Sequence, residues 1–105
     1  MSIFNNPARR EKKLLRAIEK DPDNPESYLT LGKLYFLGKD YLQAVRIYEQ
    51  GLKVVPADSS LLFNLGVTKE ALNEIEAAKK IYLSILARDP KYQAAQERLE
   101  KITTF

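Results

Sequence analysis

The chain of 105 residues contains no cysteine, no histidine and no tryptophan. Without cysteine it forms no disulfide and has no thiolate that binds a metal or attacks a substrate. Without histidine it lacks the side chain that titrates nearest neutral pH and that most often transfers protons or ligates metals. These absences exclude most nucleophilic, acid–base and metal-dependent mechanisms, so we expect no enzymatic activity, no metal and no cofactor.

The sequence also lacks the glycine-rich phosphate-binding motifs G-x-G-x-x-G and G-x-x-x-x-G-K-[ST]. Carboxylates remain as candidates for catalysis or calcium binding. Asp21 and Asp23 flank Pro22 in a turn where aspartate commonly caps helices, and Glu70 and Glu74 lie one helical turn apart on a face that we expect to be solvated. We therefore interpret both pairs as structural.

No apolar run approaches the roughly 18 residues that a membrane-spanning helix requires, so we expect no transmembrane segment. The first residues, Met1 to Pro7, lack the basic start and apolar core of a secretion signal, which makes the cytoplasm the default expectation. With 45% hydrophobic and 30% charged residues, the composition is that of an ordinary folded chain. Its length is appropriate for a single domain.

What the sequence does contain is an internal repeat. A period of about 20 to 50 residues is typical of stacked repeat proteins, because one short unit cannot bury its apolar face without a neighbour. Residues that recur 34 positions apart are Pro22, Pro56 and Pro90, Asn24 and Asp58, Leu31-Gly32 and Leu65-Gly66, Ala44 and Ala78, Tyr48 and Tyr82, and Leu52 and Leu86.

The two repeating blocks begin at Pro25 and Ser59, and they resemble the tetratricopeptide repeat, a 34-residue helix-turn-helix unit. Lys69 and Gly51 depart from the family pattern, which prefers an aromatic residue and a small helix former at these places. The resemblance implies an all-α fold, a right-handed superhelix of antiparallel helix pairs with about six helices. The matching positions are Tyr28, Leu31-Gly32, Tyr35, Ala44, Tyr48 and Pro56 in the first block, and Leu62, Leu65-Gly66, Ala78, Tyr82 and Pro90 in the second.

The repeat register divides this single domain into four parts. Residues 8–21 form an N-terminal half-repeat helix, 25–58 the first repeat, 59–92 the second, and 93–103 a C-terminal capping helix. We expect Asn24, Asp40 and Asp58 to cap the helices that follow them, since their side chains accept hydrogen bonds from free backbone N–H groups. Asn73 is expected in the turn of the second repeat, because asparagine tolerates the left-handed conformation.

Two positions predict how the helices of each pair contact one another. Gly32 and Gly66 lie inside predicted helices, where glycine costs roughly 0.8 to 1 kcal/mol relative to alanine. We therefore expect the facing helix to approach closely at both glycines, with Tyr48 and Tyr82 filling the adjacent space. The same packing requires Tyr28 and its counterpart Leu62 to be buried between antiparallel helices.

The first helix of each stacked pair is expected to line a concave surface. Helical phase predicts a peptide-binding site there, with apolar Leu29, Phe63 and Val67 flanked by Lys33, Asn64 and Arg98. Such a groove suits a peptide of a protein partner that carries a hydrophobic anchor and an acidic group. In the alternative interpretation, Leu29 and Phe63 are ordinary interhelix core.

Some members of the family hold the C-terminal carboxylate of a chaperone with a clamp of Lys, Asn, Asn, Lys and Arg. Asn64 and Arg98 coincide with two clamp positions, whereas Leu29, Lys33 and Ala94 occupy the other three. The resemblance therefore does not imply a full clamp. It implies hydrogen bonds from Asn64 and Arg98 to a ligand backbone or carboxylate.

Charge is concentrated at the N-terminus. Residues 1–20 hold six basic and two acidic side chains, whereas the remaining 85 residues hold 11 and 12. A basic helix of this kind is suited to an anionic surface, although a solvated capping helix is the simpler interpretation. No aromatic residue between Ala8 and Lys20 is available to stack on bases, so we expect no specific nucleic-acid binding.

Apolar residues near both termini suggest a third possibility. Ile3 and Phe4 at one end, and Ile102 and Phe105 at the other, have little sequence left to cover them. Open ends of a solenoid present unpaired faces, so a homodimer that buries these residues is an alternative to peptide binding. Fraying tails are equally consistent with the sequence.

Overall fold

The computed structural model describes residues 6–104, and within that range it contains helices and no strands. The predicted all-α architecture with six helices is confirmed. The helices are α1 (Pro7–Lys20), α2 (Pro25–Leu37), α3 (Tyr41–Val54), α4 (Ser59–Ala71), α5 (Ile75–Arg88) and α6 (Gln93–Thr103).

Short polar side chains set the beginnings of three helices. The Asn24 carboxamide oxygen accepts a hydrogen bond from the backbone N–H of Glu26 at 3.1 Å, and Pro25 occupies the first turn of α2. The Asp58 carboxylate accepts from the N–H of Leu61 at 2.9 Å. The Asp40 carboxylate caps α3 in the same way, so the three predicted caps are confirmed.

The turn inside each helix pair contains one residue in the left-handed conformation. Asn73 has φ 62°, as predicted, and Lys39 has the same φ 62° at the equivalent position of the first repeat. Gly38, which precedes Lys39, has φ −81° and is not the left-handed residue. A lysine with a Cβ therefore adopts a conformation that glycine adopts with less strain.

The helices stack in sequence order. α2 packs against α3 and α4 packs against α5, which forms two hairpins, and α3 packs against α4 to join them. α1 covers α2 at one end and α6 covers α5 at the other. The first helices of the two hairpins, α2 and α4, also contact each other directly. This contact is expected when successive hairpins stack in the same orientation.

The core forms two clusters along this stack. Tyr28 is buried as predicted, but its counterpart Leu62 is only half-buried, and its neighbour Leu61 is the fully buried residue. The burial expected of Leu62 is therefore only partly met, whereas Leu65 and Gly66 are buried at the predicted positions of α4. Buried members are Tyr28, Leu31, Ala44, Ile47, Tyr48, Leu61 and Leu65 in the first cluster, and Ala78, Tyr82, Ile85 and Ala95 in the second.

The two repeated glycines allow a tyrosine ring to lie against the helix backbone. A Cβ added at Gly32 would lie 2.5 Å from Cζ of Tyr48, and one added at Gly66 would lie 3.0 Å from Cζ of Tyr82. Both distances are shorter than ordinary carbon contacts. The expected close approach is confirmed in both repeats.

Gly51 has a similar role, which explains its departure from the family pattern. It is buried on α3, and a Cβ there would lie 2.8 Å from Cβ of Tyr28 and 2.9 Å from Cδ1 of Leu61. Those two side chains belong to α2 and α4. The glycine therefore lets three helices meet at one point in the first core cluster.

Candidate functional site

A cavity of about 130 Å³ lies between the first helices of the two hairpins. Its lining is almost entirely apolar, and the residues that line it include Lys33 and Asn64, two polar residues from different helices. We call it the α2–α4 cavity. Its lining residues are Lys33, Phe36 and Leu37 from α2, Tyr48 from α3, and Asn64 and Val67 from α4.

Three of the six predicted site residues, Lys33, Asn64 and Val67, line this cavity together. Leu29 and Phe63 do not. Leu29 is half-buried and packs against the first core cluster. The ring of Phe63 packs against two tyrosine rings, with its centroid 5.9 Å from that of Tyr82 and 6.0 Å from that of Tyr92.

The sixth predicted residue, Arg98, is held by an ion pair. Its Nε lies 3.0 Å from Oε2 of Glu70, and its Nη2 lies 3.0 Å from Oε1 of the same carboxylate. The hydroxyl of Tyr82 also donates a hydrogen bond to Oε2 of Glu70. The Glu70 side chain is only 12% exposed, so our expectation that it lies on a solvated face is wrong.

These contacts set the protonation states of what we call the Tyr82–Glu70–Arg98 network. Burial raises the pKa of Tyr82, and the adjacent Glu70 carboxylate raises it further, because ionisation would place two negative charges together. The hydrogen bond to Glu70 likewise raises the pKa of Arg98. At neutral pH the network is a neutral phenol beside a charged pair, and two nitrogens of its guanidinium are engaged by one carboxylate.

The first repeat lacks this network although it keeps the tyrosine. Tyr48 is fully buried, and its hydroxyl is the only buried side-chain polar atom without a hydrogen-bond partner among residues 6–104. Burial raises the pKa of Tyr48, so the hydroxyl remains a neutral donor. At the 34-residue offset, Tyr48, Phe36 and Asn64 correspond to Tyr82, Glu70 and Arg98.

The N-terminal helix presents its charges to solvent. α1 packs against the first core cluster through Leu14 and Ile18. None of its basic side chains forms an ion pair with another described residue. These side chains, all exposed, are Arg9, Arg10, Lys12, Lys13, Arg16 and Lys20.

The residues of the predicted homodimer lie at the chain ends. Ile102 is half-buried and packs against the second core cluster. Ile3, Phe4 and Phe105 lie outside the described residues. Within residues 6–104, no helix has both the length and the apolar character needed to cross a membrane.

Sequence profiles described as "Tetratricopeptide repeat" match residues 36–101 and, with a second profile, residues 13–46. The chain belongs to the tetratricopeptide repeat family. It is 33% identical over 91 residues to human "Cilia- and flagella-associated protein 70". That match covers 84% of this chain but only 8% of the human protein, so the likeness concerns one small part of that protein.

Solved structures of this family share the fold. The first repeat domain of Spaghetti (RPAP3), bound to the HSP90 peptide SRMEEVD, has a TM-score of 0.83 and 24% identity, and the match covers 89% of this chain and 74% of that one. The second repeat domain of human RPAP3, in complex with the HSP70 peptide SGPTIEEVD, has a TM-score of 0.82, 20% identity and coverages of 90% and 79%. MamA has a TM-score of 0.84, 16% identity and coverages of 94% and 58%.

Proposed function

We propose that this chain is a noncatalytic protein-interaction domain that binds a peptide segment of a partner protein along α2 and α4. The observation that carries the proposal is the α2–α4 cavity. It opens between the first helices of two adjacent repeats, and its rim includes Leu37, a leucine that is 76% exposed. An exposed apolar rim around an apolar cavity is suited to an anchor side chain of a peptide.

The proposed contact residues are the three predicted ones that line the cavity. Val67 offers apolar contact, Lys33 offers an exposed positive charge, and the amide of Asn64 offers hydrogen bonds. Leu29 and Phe63 support the helices that carry these residues. Arg98 takes part indirectly, since its guanidinium is engaged by Glu70.

Similar folds support a peptide as the class of ligand. Two of the solved structures are repeat domains of RPAP3 in complex with HSP90 or HSP70 peptides. Those peptides combine acidic and apolar residues, which suits a cavity with apolar walls and a lysine. We do not propose a five-residue carboxylate clamp for this chain, because only Asn64 and Arg98 match it and Arg98 already binds a carboxylate.

The test is a titration of ¹⁵N-labelled chain with pooled seven-residue peptides that combine acidic and apolar residues. We expect chemical-shift changes along α2 and α4. Leu37 and Leu42 provide a matched pair of variants, because they are 76% and 69% exposed and only Leu37 lines the cavity. Burying a leucine side chain contributes about 1.5 to 3 kcal/mol, so Leu37→Ser should weaken binding by roughly tenfold or more.

Leu42→Ser should leave peptide binding unchanged. Equal losses in the two variants would contradict the proposed groove, because they would show an effect of general surface polarity. Shift changes confined to α1 would contradict it as well, and they would favour the second candidate function.

That second candidate is electrostatic docking of α1 to an anionic surface. It is favoured by the exposed basic side chains of α1, which form no ion pair with other described residues. Binding to anionic vesicles should then weaken steeply as salt increases. Reversing the charge at Arg9, Arg10, Lys12 and Lys13 should abolish it, and retention of binding by that variant would exclude α1 as the docking element.

A further inference from the structure

The hydroxyl of Tyr48, a residue that lines the α2–α4 cavity, is a buried polar group without a hydrogen-bond partner among the described residues. Tyr48 is 0% exposed, lines the cavity, and has no hydrogen-bond acceptor among the described residues. A buried hydroxyl without a partner destabilises a fold, because it has lost its hydrogen bonds to water. An acceptor that reached this hydroxyl from the cavity would restore the missing hydrogen bond.

The second repeat shows which acceptor fits this arrangement. There the equivalent hydroxyl, that of Tyr82, donates to the carboxylate of Glu70, which reaches it from the helix that carries Gly66. The position equivalent to Glu70 in the first repeat is Phe36, whose ring has no acceptor. Phe36 lines the cavity, so the cavity lies where the second repeat has its own carboxylate.

We propose that the α2–α4 cavity is a subsite for a glutamate side chain of the partner peptide, whose carboxylate accepts a hydrogen bond from Tyr48 and pairs with the ammonium of Lys33. The methylene groups of that glutamate lie against Phe36 and Val67. This inference rests on the peptide-binding function proposed above. It adds the identity of one ligand side chain and the residue that recognises it.

Charge supports an acidic occupant. Lys33 is exposed at the cavity and forms no ion pair with another described residue. Asn64 donates one amide hydrogen to the carbonyl oxygen of Ser60 at 2.8 Å, which leaves its second amide hydrogen for a ligand. A carboxylate thus finds a cation and hydrogen-bond donors, as Glu70 does beside Arg98.

Size supports a side chain over a single water molecule. The cavity of about 130 Å³ is roughly ten times the space that one water needs, about 10 to 15 Å³. Its lining is almost entirely apolar, so water molecules there have few hydrogen-bond partners on the protein. A side chain with an apolar stem and a polar end uses both features.

The experiment compares three short peptides on the full chain by NMR titration. The first is Ac-Ala-Leu-Glu-Leu-Ala-NH₂, in which the glutamate side chain is the only carboxylate. The second replaces that glutamate by glutamine, and the third is Ac-Ala-Leu-Ala-Leu-Ala with a free C-terminal carboxylate. We expect the glutamate peptide to bind about tenfold more tightly than either of the others, because only its side chain places a charged acceptor between Tyr48 and Lys33.

Variants test the two recognising groups. Tyr48→Phe keeps the ring and removes the donor, and Lys33→Ala removes the cation, so each should lower affinity for the glutamate peptide by about five- to tenfold. The matched control is Lys80→Ala, because Lys80 is an exposed lysine on α5 away from the cavity, and it should bind as the unaltered chain does. Thermal unfolding of each variant checks that it is folded.

Each remaining outcome overturns the glutamate subsite. Equal affinity for the glutamate and glutamine peptides, or unchanged binding by Tyr48→Phe, would do so while leaving peptide binding along α2 and α4 intact. A preference for the free C-terminal carboxylate would assign the site to a chain end. If none of the three peptides changes the chemical shifts of α2 or α4 at millimolar concentration, but the pooled peptides do, only the glutamate subsite is contradicted. If neither the three peptides nor the pooled peptides change these shifts, both proposals are contradicted.

Discussion

Replacing each repeat tyrosine by phenylalanine gives a sharp test of the difference between the two repeats. The rings are matched, since Tyr48 packs on Gly32 and Tyr82 packs on Gly66. Only the hydroxyls differ. That of Tyr82 donates to Glu70, whereas that of Tyr48 has no partner among the described residues.

The magnitudes follow from these hydrogen bonds. A hydrogen bond to a charged group contributes about 1.5 to 3 kcal/mol, and Glu70 keeps its two 3.0 Å contacts with Arg98 when the phenol is removed. We therefore expect Tyr82→Phe to lower the free energy of unfolding by about 1.5 kcal/mol, the lower end of that range. Tyr48→Phe removes an unpaired hydroxyl, so it should leave stability unchanged or raise it by up to about 1 kcal/mol.

The assay is urea unfolding followed by circular dichroism, with melting temperatures as a second measure. For a domain of this size, 1 kcal/mol corresponds to roughly 4 to 8 °C, so the two variants should differ clearly. A loss of stability in Tyr48→Phe as large as that in Tyr82→Phe would refute the reasoning. It would mean that the Tyr48 hydroxyl already has an acceptor, and the argument for an acidic ligand would lose its basis.

Three further predictions concern backbone and ionisation. Gly66→Ala should lower the free energy of unfolding by about 1 to 3 kcal/mol, because its Cβ would lie 2.6 Å from Cε1 of Tyr82. Gly38→Ala, whose Cβ would have its nearest atoms at 3.6 Å, should raise the free energy of unfolding by about 0.5 kcal/mol. Similar effects of the two variants in urea unfolding would contradict the close packing at Gly66. Lys39→Gly should stabilise by about 0.5 to 1 kcal/mol by relieving the positive φ, and a destabilisation would show that the Lys39 side chain contributes more than the strain costs. The free energy of unfolding should fall as pH rises above about 10, because tyrosines ionise there in the unfolded chain while burial holds the pKa of Tyr48 and Tyr82 higher in the folded chain. A melting temperature that does not change across that pH range would contradict the burial of these phenols.

Local sequence signals were sufficient to predict the fold. The 34-residue interval, the prolines between helices and the capping side chains of Asn24 and Asp58 each act over a few residues. The repeated Gly32 and Gly66 predicted where helices approach, since mid-helix glycine is unfavourable unless packing requires it. Such signals need no knowledge of which distant helices meet.

The candidate site was only partly predictable. Helical phase placed Lys33, Asn64 and Val67 on one side of α2 and α4, and all three line the same cavity, while their contact with a peptide stays a prediction. The ion pair of Glu70 with Arg98 was not predicted, because it joins residues 28 positions apart on α4 and α6. No spacing of charged residues along the chain indicates that these two meet. The spacing of Glu70 and Glu74, four residues apart, suggested a solvated face instead.

The sequence nevertheless carries one further signal, in the differences between the two repeats. Comparing the two repeats at the 34-residue offset shows that Phe36 replaces Glu70 and Asn64 replaces Arg98, while the tyrosine is kept. This comparison predicts that one tyrosine hydroxyl has a carboxylate and that the other lacks it. Whether a replacement acceptor exists elsewhere depends on side-chain packing, which periodicity does not resolve.

The measurement that most directly tests peptide binding in the α2–α4 cavity is a set of intermolecular nuclear Overhauser effects from the methyl groups of Val67. In a complex with a peptide found by titration, we expect contacts between these methyls and peptide side-chain protons, accompanied by contacts from the ring of Phe36. Contacts restricted to α1, or to the outer surfaces of α3 and α5, would contradict the account.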